Sequence, residues 1–331
     1  MDLSTTYLGM KLPHPMMAGA SPLSDELDTV KQLEDAGSAA IVLRSLFEEQ
    51  IVREQLADMH YQDDNSESSA EATTYFPIGG MAIPGPDEYL NHLRRVKDAV
   101  GIPVIASLNG TTPGGWLEYG RLMEKEGADA LELNVYHASL DPRKSGAEIE
   151  RETLEMVRDV KHSVRIPVAV KLSPFFTSFA HFALQLDSEG VDGLVLFNRF
   201  YETDIDVLEF QVTRALHLSD SSEVLLRLRG IAALSPIVKA SLAVTGGVHT
   251  ALDIVKSTMA GAHVTQMVSA LLKHGPGYLR RVREELKEWM EENEWSSLAE
   301  MRGNMGVDRA PNPKAYERTN YMMMLQSWEG T

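Results

Sequence analysis

The chain has 331 residues, a hydrophobic content of 44% and a formal net charge of −17. It is long enough to bury a large core, and its charge disfavours nucleic acid and anionic membranes as partners. The absence of cysteine excludes disulfides, thiolate zinc sites, cysteine-ligated iron–sulfur clusters and a cysteine nucleophile within this chain. Residues 1–15 lack the basic and apolar regions of a signal peptide, and no apolar run approaches the roughly 20 residues of a membrane span. We therefore predict a cytoplasmic protein with no metal site and no membrane or nucleic-acid partner.

Short apolar runs alternate with amphipathic stretches along the whole chain. Strands that are buried on both faces have this unbroken apolar pattern, and each run is followed by a helical pattern or a long crossover. Eight such units in a chain of this length predict a (β/α)8 TIM barrel as one domain over residues 1–331, with a doubly wound open sheet as the alternative. The eight runs lie at 15–21, 39–45, 102–109, 128–136, 166–174, 191–198, 241–247 and 262–268.

Three stretches depart from this alternation. Residues 56–77 are polar and acidic, which fits either a mobile lid or a disordered insertion. Residues 199–230 form a long, irregular connection after the sixth strand, and long ordered loops on barrels often cover the site. Residues 296–331 are predicted to pack on the barrel or on a neighbouring subunit, because part of this segment is rich in aromatic residues and methionine.

Two glycines follow the seventh strand in the stretch SLAVTGGVHTALD. Gly246 and Gly247 allow backbone N–H groups to approach a bulky anion, and Thr250 and Asp253 give the capping signal of the next helix. Loops after strands seven and eight of a barrel frequently bind a phosphate. The alternative is a tight turn without a ligand. The residues predicted to bind phosphate are Thr245, Gly246, Gly247, Ser269 and Ala270.

Polar side chains also stand at the ends of the other strands, where function is concentrated in this fold. Lys171 lies inside an apolar strand, so we expect its charge to be used, either in catalysis or in a structural pair with Glu132. Asn134 and Asn198 are candidates for binding or for capping local turns, and His137 is either functional or a surface histidine.

Several motifs resemble the dihydroorotate dehydrogenase family, in the same order and over residues 5–295. They are MMAGAS at strand one, ELN at strand four, VKLSP at strand five, GLVLFN at strand six and TGGVHTALDIVKSTMAGAHVTQMVSALLKHGP at the end of the barrel. The first predicted strand begins close to the start of the sequence. In this respect the chain resembles the soluble branch of the family rather than the membrane-associated branch, which has an N-terminal helical extension.

The resemblance implies that FMN lies across the C-terminal ends of the strands. Ser45 and Asn134 would hydrogen-bond the flavin, and Lys171 would stabilise the negative charge of its reduced form. Arg44 stands where the family usually has a second lysine. The whole cofactor set implied in this way is Ala18, Gly19, Ser21, Arg44, Ser45, Asn134, Lys171, Asn198, Thr245, Gly246, Gly247, Ser269 and Ala270.

The loop after strand four differs from the family. The family has a cysteine or serine base there, whereas this chain reads NVYHASLDP, with His137 at the equivalent position and about Ser139 in place of a second asparagine. The family's asparagine-containing substrate loop appears as PIGGMAIPGP at 77–86, without asparagine. A histidine can act as an acid or base near neutral pH, so His137 is the candidate for that role.

The resemblance therefore predicts an FMN-dependent oxidoreductase that transfers a hydride between flavin and a small polar substrate, dihydroorotate or a related CH–CH compound of pyrimidine biosynthesis. The catalytic candidates are Lys171 and His137. A homodimer is expected, as is a separate electron-transfer protein, because a chain without cysteine cannot itself hold an iron–sulfur relay. The alternatives are an aldolase that forms a Schiff base on Lys171 and a flavin-binding protein without turnover.

Overall fold

The structure, a computed structural model, describes residues 1–51, 85–110, 113–135, 141–199, 203–213, 216–316 and 319–327. The predicted lid at 56–77, residues 77–84 of the predicted substrate loop at 77–86, and His137 lie outside the described residues.

A short antiparallel hairpin precedes the barrel, and eight strand positions then follow in chain order. The hairpin consists of β1 (Thr5–Tyr7) and β2 (Met10–Leu12). The barrel consists of β3 (Met16–Ala18), β4 (Ile41–Val42) with β5 (Leu46–Phe47) at the second position, β6 (Val104–Gly110), β7 (Ala130–Val135), β8 (Val168–Leu172), β9 (Gly193–Leu196), β12 (Ser241–Thr245) and β13 (Val264–Met267). A second hairpin, β10 (Asp204–Asp206) with β11 (Gln211–Thr213), lies between β9 and β12.

All barrel pairings are parallel, and the last strand pairs with the first. Gln266 of β13 lies opposite Met17 of β3, and Ile41 of β4 lies opposite Val104 of β6. The sheet is thus closed, which confirms the predicted TIM barrel and shows that the open-sheet alternative is wrong.

Helices connect the barrel strands, and others follow the last strand. They are α1 (Leu27–Asp35), α2 (Pro86–Ala99), α3 (Pro113–Lys125), α4 (Gly146–Ser163), α5 (Phe179–Ser188), α6 (Val224–Leu234), α7 (Ala251–Ala260), α8 (Ser269–His274), α9 (Tyr278–Glu292), α10 (Leu298–Met301) and α11 (Thr319–Gln326). Of the helices in the described ranges, none is both long and apolar enough to cross a membrane.

Alternation along the strands separates the core into an outer layer and an inner layer. In β8, Val168, Val170 and Leu172 belong to the large cluster between sheet and helices, while Ala169 belongs to a smaller cluster inside the barrel. Because side chains alternate across a strand, Lys171 shares the inner side with Ala169. An apolar run can therefore carry a cation that faces the barrel interior.

The β1–β2 hairpin closes the N-terminal end of the barrel. Tyr7, Leu8 and Leu12 are buried in the inner cluster, where they meet small side chains such as Ala169 and Ala243. The interior is therefore filled with apolar groups at this end, and the polar groups of the interior lie nearer the C-terminal ends of the strands.

One connection differs from its sequence interpretation. The stretch 199–230, predicted to be irregular, contains the β10–β11 hairpin and the first turns of α6. Near the C-terminus, the backbone N–H of Asp2 donates to the carbonyl of Ser296 at 3.0 Å, and Leu298 and Met301 are buried. The N-terminus and residues 296–301 thus meet at the N-terminal face of the barrel.

Candidate active site

A buried polar layer lies above the apolar end of the barrel. Lys171 Nζ of β8 donates to Glu132 Oε1 of β7 at 3.2 Å. Gln266 Nε2 of β13 donates to Glu132 Oε2 at 2.5 Å. The side chains of Lys171 and Glu132 are 8% and 1% exposed. The structure thus shows the contact between Lys171 and Glu132, while the role of Lys171 in catalysis or in the fold stays a prediction, and Gln266 was missed.

The charge of Glu132 in this layer affects the pKa of Tyr7, which lies beneath it. Burial, and then the negative charge of Glu132, raise the pKa of Tyr7 well above its ordinary value. The Tyr7 hydroxyl therefore stays protonated, and it has no hydrogen-bond partner among the described residues. Gln266 Oε1 has none either within this part of the chain. Both groups need a water or a ligand to satisfy them.

Asn134 lies at the C-terminal end of β7, opposite Lys171 of β8 in the strand register. The residue is 8% exposed, and its Oδ1 is buried with no donor in the described ranges. A buried carbonyl oxygen without a donor costs about 1–3 kcal/mol. Asn134 is thus the clearest unsatisfied group at this end of the barrel.

Two hydroxyls lie close together on the neighbouring strands. The Oγ atoms of Ser45 and Ser107 are 2.8 Å apart, and both residues are buried. The hydroxyl of Tyr89 accepts the backbone N–H of Ser107 at 3.0 Å, and burial raises the pKa of Tyr89. These contacts fix Ser45, which the resemblance places at the flavin.

Gly19 follows β3 at a point of close approach. Its N–H donates to the carbonyl of Met267 at 3.1 Å, and a Cβ at this position would lie 2.7 Å from Val268 Cγ2. Ala18 and Ser21, which belong to the same predicted cofactor-binding set, are also held in place. Ala18 N–H donates to Ser38 Oγ at 3.0 Å, and Ser21 is buried.

The two glycines after β12 have a backbone that favours glycine. Gly246 and Gly247 have φ values of 83° and 79°. A Cβ on Gly247 would lie 2.3 Å from the backbone N of Val224, and a Cβ on Gly246 would lie 2.6 Å from Arg227 Nη2. The turn therefore admits no larger residue without movement of its surroundings.

Hydrogen bonds connect this turn to the loops after β9 and β13. The Gly247 N–H donates to Ser219 Oγ at 3.3 Å, and the Ser219 N–H donates to Ser269 Oγ at 3.1 Å. His249 Nε2 lies 3.3 Å from the same Ser219 Oγ, and burial is the main cause that lowers the pKa of His249. The structure thus brings Gly247 and Ser269 together, as predicted, through a serine that the sequence did not indicate.

The predicted capping residues fix the start of the next helix. Thr250 Oγ1 accepts the N–H of Asp253, and Asp253 Oδ2 accepts the N–H groups of His249 and Thr250 at 3.0 and 2.9 Å. Ser221 Oγ also donates to Asp253 Oδ2 at 2.7 Å. The capping box is therefore confirmed, and it anchors the glycine turn.

A buried arginine lies behind this turn. Arg227 Nε donates to the carbonyl of Thr245 at 3.1 Å, and its Nη1 donates to the carbonyl of Glu223 at 2.7 Å. Burial lowers the pKa of Arg227, while the nearby carboxylate of Glu223 opposes that shift. Arg227 was missed because it sits in the stretch interpreted as an irregular loop.

Two predicted residues have other contacts. The Arg44 side chain is 46% exposed and pairs with Asp25 at 2.7 Å, so its charge is shared with a carboxylate near the surface. The Asn198 N–H donates to the carbonyl of Leu172 at 2.7 Å, and the residue is half-buried. Their roles at a cofactor remain predictions.

These residues fit a flavin nucleotide. The lone acceptor of Asn134 suits an N–H donor such as the imide of an isoalloxazine ring. The glycine turn, with Arg227 behind it, suits a phosphate. The described residues contain no group of three histidine, cysteine or carboxylate side chains that could hold a metal ion.

Comparisons with known proteins agree with one another. A sequence model of the family Dihydroorotate dehydrogenase matches residues 78–290. The catalytic subunit of dihydroorotate dehydrogenase B (NAD(+)) from Thermoplasma volcanium is 26% identical over 309 residues, which cover 91% of this chain and 98% of that protein. The chloroplastic dihydropyrimidine dehydrogenase (NADP(+)) of Arabidopsis thaliana is 23% identical over 330 residues, which cover 92% of this chain and 76% of that protein.

Proposed function

Because this chain belongs to the dihydroorotate dehydrogenase family, whose sequence model covers more than half of it, we propose that it is an FMN-dependent oxidoreductase acting on a CH–CH bond. When bound, FMN supplies the hydride acceptor or donor. The observation that carries this proposal is the unsatisfied Asn134 Oδ1 at the C-terminal end of β7, next to the strand that holds the buried Lys171.

The glycine turn is proposed to hold the phosphate of the cofactor. Gly246 has a backbone N–H that could serve a phosphate, while the Gly247 N–H is bonded to Ser219 Oγ at 3.3 Å, and Ser269 and Ala270 begin the helix that follows β13. Arg227 fixes the turn from behind through the Thr245 carbonyl. We assign Arg227 a positioning role, because its guanidinium bonds backbone carbonyls.

Lys171 is proposed to stabilise negative charge that develops on the ring. Its ammonium is already oriented by Glu132, which is fixed in turn by Gln266, so little reorganisation is needed when charge appears. Such a preorganised cation in a buried layer acts more strongly than one in water.

The same geometry disfavours the aldolase alternative. A Schiff-base lysine must present its Nζ to a substrate carbonyl, whereas Lys171 Nζ donates to the buried carboxylate of Glu132. The names of the relatives instead point to a reduced pyrimidine ring. We therefore propose dihydroorotate or a related dihydropyrimidine as the substrate, with His137 as the acid or base.

The visible spectrum of the purified chain, before and after addition of FMN, tests this function. We expect flavin absorbance bands that bleach when dihydroorotate or another dihydropyrimidine is added without oxygen. Asn134→Leu should weaken FMN binding at least tenfold. The variant removes the proposed hydrogen bond between Asn134 Oδ1 and the flavin, a buried bond between neutral groups that is worth about 1.5 kcal/mol. It should leave the free energy of unfolding of the FMN-free protein unchanged or raised, since the lone acceptor is removed.

If the chain stays colourless with FMN in excess, the proposal that it binds FMN is wrong. In the same assay His137→Ala is expected to slow bleaching while FMN stays bound, and equal rates from pH 5 to pH 8 would remove His137 from the mechanism. Flavin that binds but is never bleached would favour a binding protein without turnover.

A separate chain is proposed to carry electrons between this protein and its second substrate. The Thermoplasma relatives are named catalytic subunits of an NAD(+) enzyme, and this chain has no cysteine for a relay of its own. The electron-transfer partner and the cytoplasmic location remain predictions.

The β10–β11 hairpin supports the predicted homodimer. Val207, Leu208 and Phe210 are 73%, 83% and 89% exposed, which is an unusual density of apolar surface on a hairpin. We expect the chain to be a dimer by light scattering and the Leu208→Asp, Phe210→Asp variant to be a monomer. A native monomer at micromolar concentration would contradict this assignment.

A further inference from the structure

A cavity lies at the N-terminal face of the barrel, at the opposite end from the glycine turn. It has a volume of about 270 Å³ and opens beside the first residues of β12 and β13 and the end of α6. Its apolar wall includes Val238 and Leu242, and its polar wall includes Arg302, His263 and Lys239. Nothing in the proposed oxidoreductase mechanism uses this cavity.

The charge of this cavity is opposite to that of the whole chain. Lys239, Arg302 and Arg309 supply three cations, and Asp308 is the one carboxylate among the lining residues, so the lining carries a net charge of +2. The chain as a whole carries −17. A positive cavity in so acidic a protein points to an anionic ligand.

Arg302 lacks a counter-ion. Asp308 Oδ2 lies 3.7 Å from Arg309 Nε, and no carboxylate of the described residues pairs with Arg302. Within the described part of the chain, the one side-chain hydrogen bond of its guanidinium is a long one, from Nη1 to Thr5 Oγ1 at 3.5 Å. Burial lowers the pKa of Arg302. A partly buried cation without a partner is costly, and an anion entering the cavity would remove that cost.

His263 adds a neutral donor. Its Nδ1 accepts the backbone N–H of Leu242 at 3.0 Å, so a neutral ring carries its proton on Nε2. Burial, and then the charge of Arg302, lower the pKa of His263 to about 4, so the ring is neutral at pH 7. The cavity thus presents donors and cations, with one carboxylate that already faces Arg309.

We propose that this cavity binds a small phosphate-bearing anion, with Arg302 as its principal ligand. The net charge of the lining matches the dianion that a phosphomonoester forms near neutral pH, and the planar guanidinium can bind two of its oxygens. The apolar wall leaves room for a carbon skeleton attached to the phosphate. Because the site lies at the face of the barrel away from Gly247, it is distinct from the proposed cofactor phosphate site.

Calorimetric titration of the full chain tests the site, with FMN in excess so that the cofactor site does not take up the probes. The probes are inorganic phosphate and ribose 5-phosphate. We expect Arg302→Gln to weaken binding at least about tenfold, since a charge-assisted hydrogen bond is lost. Arg302→Lys should bind with an affinity between those of the native chain and Arg302→Gln, because it keeps the charge but loses the planar pair of donors. Arg281→Gln, which removes a cation from the exposed surface of α9, should bind as the native chain does.

Tighter binding of ribose 5-phosphate than of phosphate would assign the site to a phosphorylated metabolite, and equal binding would assign it to free phosphate. Both results support the proposal. No binding by the native chain, or equal binding by native chain and Arg302→Gln, overturns it.

A second measurement needs no ligand. In phosphate-free buffer, Arg302→Gln should leave the free energy of unfolding unchanged or raise it, because an unpaired, partly buried cation has been removed. A clear fall would show that Arg302 stabilises the fold instead. This unfolding measurement needs neither FMN nor a probe, so it stands if FMN fails to bind, and the two proposals fail separately.

Discussion

Lys171→Met is expected to lower the free energy of unfolding by about 3–5 kcal/mol, because it leaves Glu132 as a buried charge without its cation. The two side chains are 8% and 1% exposed, so water cannot replace the lost partner. The variant should also slow flavin reduction even where FMN remains bound, since the oriented ammonium is gone. Chemical denaturation and anaerobic flavin reduction measure these two effects separately.

Substitution of Glu132, the partner of Lys171, allows the effect on stability to be distinguished from the effect on the rate of flavin reduction. In the Lys171→Met, Glu132→Gln double variant no charge is left in the layer, and the amide oxygen can still accept from Gln266 Nε2. The double variant should recover most of the stability but none of the rate. Recovery of both would mean that Lys171 serves the fold alone.

An exposed ion pair provides the matched control. Lys144 pairs with Glu152, and both side chains are 41% exposed, so Lys144→Met should cost at most about 1 kcal/mol. A similar loss in Lys144→Met and Lys171→Met would contradict the argument from burial.

The barrel could be predicted from the sequence because its strands are buried on both faces and its helices are buried on one. In α2, Leu90, Leu93 and Val96 recur on one face and are buried, and this periodicity is visible in the sequence alone. The closing hairpin was missed for the opposite reason. Its strands have three residues each, and its turn depends on positive φ at Leu8 and Gly9, which leaves too short a pattern to detect.

Helix α6 was missed because its apolar residues are not confined to one face. Leu225 and Leu226 are 60% and 51% exposed, while Arg227 is buried. Tertiary contacts decide this arrangement, since Arg227 bonds the Thr245 carbonyl of a strand that follows it in sequence. A pattern search that expects buried residues to be apolar reads such a segment as a loop.

The site residues could be predicted where polar residues stand at the ends of apolar strands. They could not be predicted where side chains on opposite sides of the barrel form hydrogen bonds with each other. Lys171 and Glu132 lie on adjacent strands, so the sequence could suggest their contact. Gln266 lies on β13, three barrel strands from β8, inside the run VTQMV, and only closure of the barrel brings its amide to Glu132. Ser219 likewise reaches Gly247 and Ser269 through a loop that the sequence presented as irregular.

Gly247→Ala is expected to destabilise the protein by more than about 2 kcal/mol and to weaken FMN binding at least tenfold. A positive φ costs an alanine about 1–2 kcal/mol in itself. The new Cβ would also lie 2.3 Å from the backbone N of Val224, which is the first residue of α6. Because backbone atoms must move to relieve that contact, the turn that is proposed to hold the phosphate is displaced.

Gly190→Ala is the matched control for this variant. Gly190 has a φ of 80°, almost the value at Gly247, but a Cβ there would meet no atom within 4 Å. It should therefore show the cost of backbone strain alone, about 1 kcal/mol, with unchanged FMN affinity. Denaturant unfolding of both FMN-free variants isolates the steric effect, and titration with FMN isolates the effect on binding. Equal FMN affinity in the two variants would mean that the glycine turn makes no contact with the cofactor, because only Gly247→Ala displaces it.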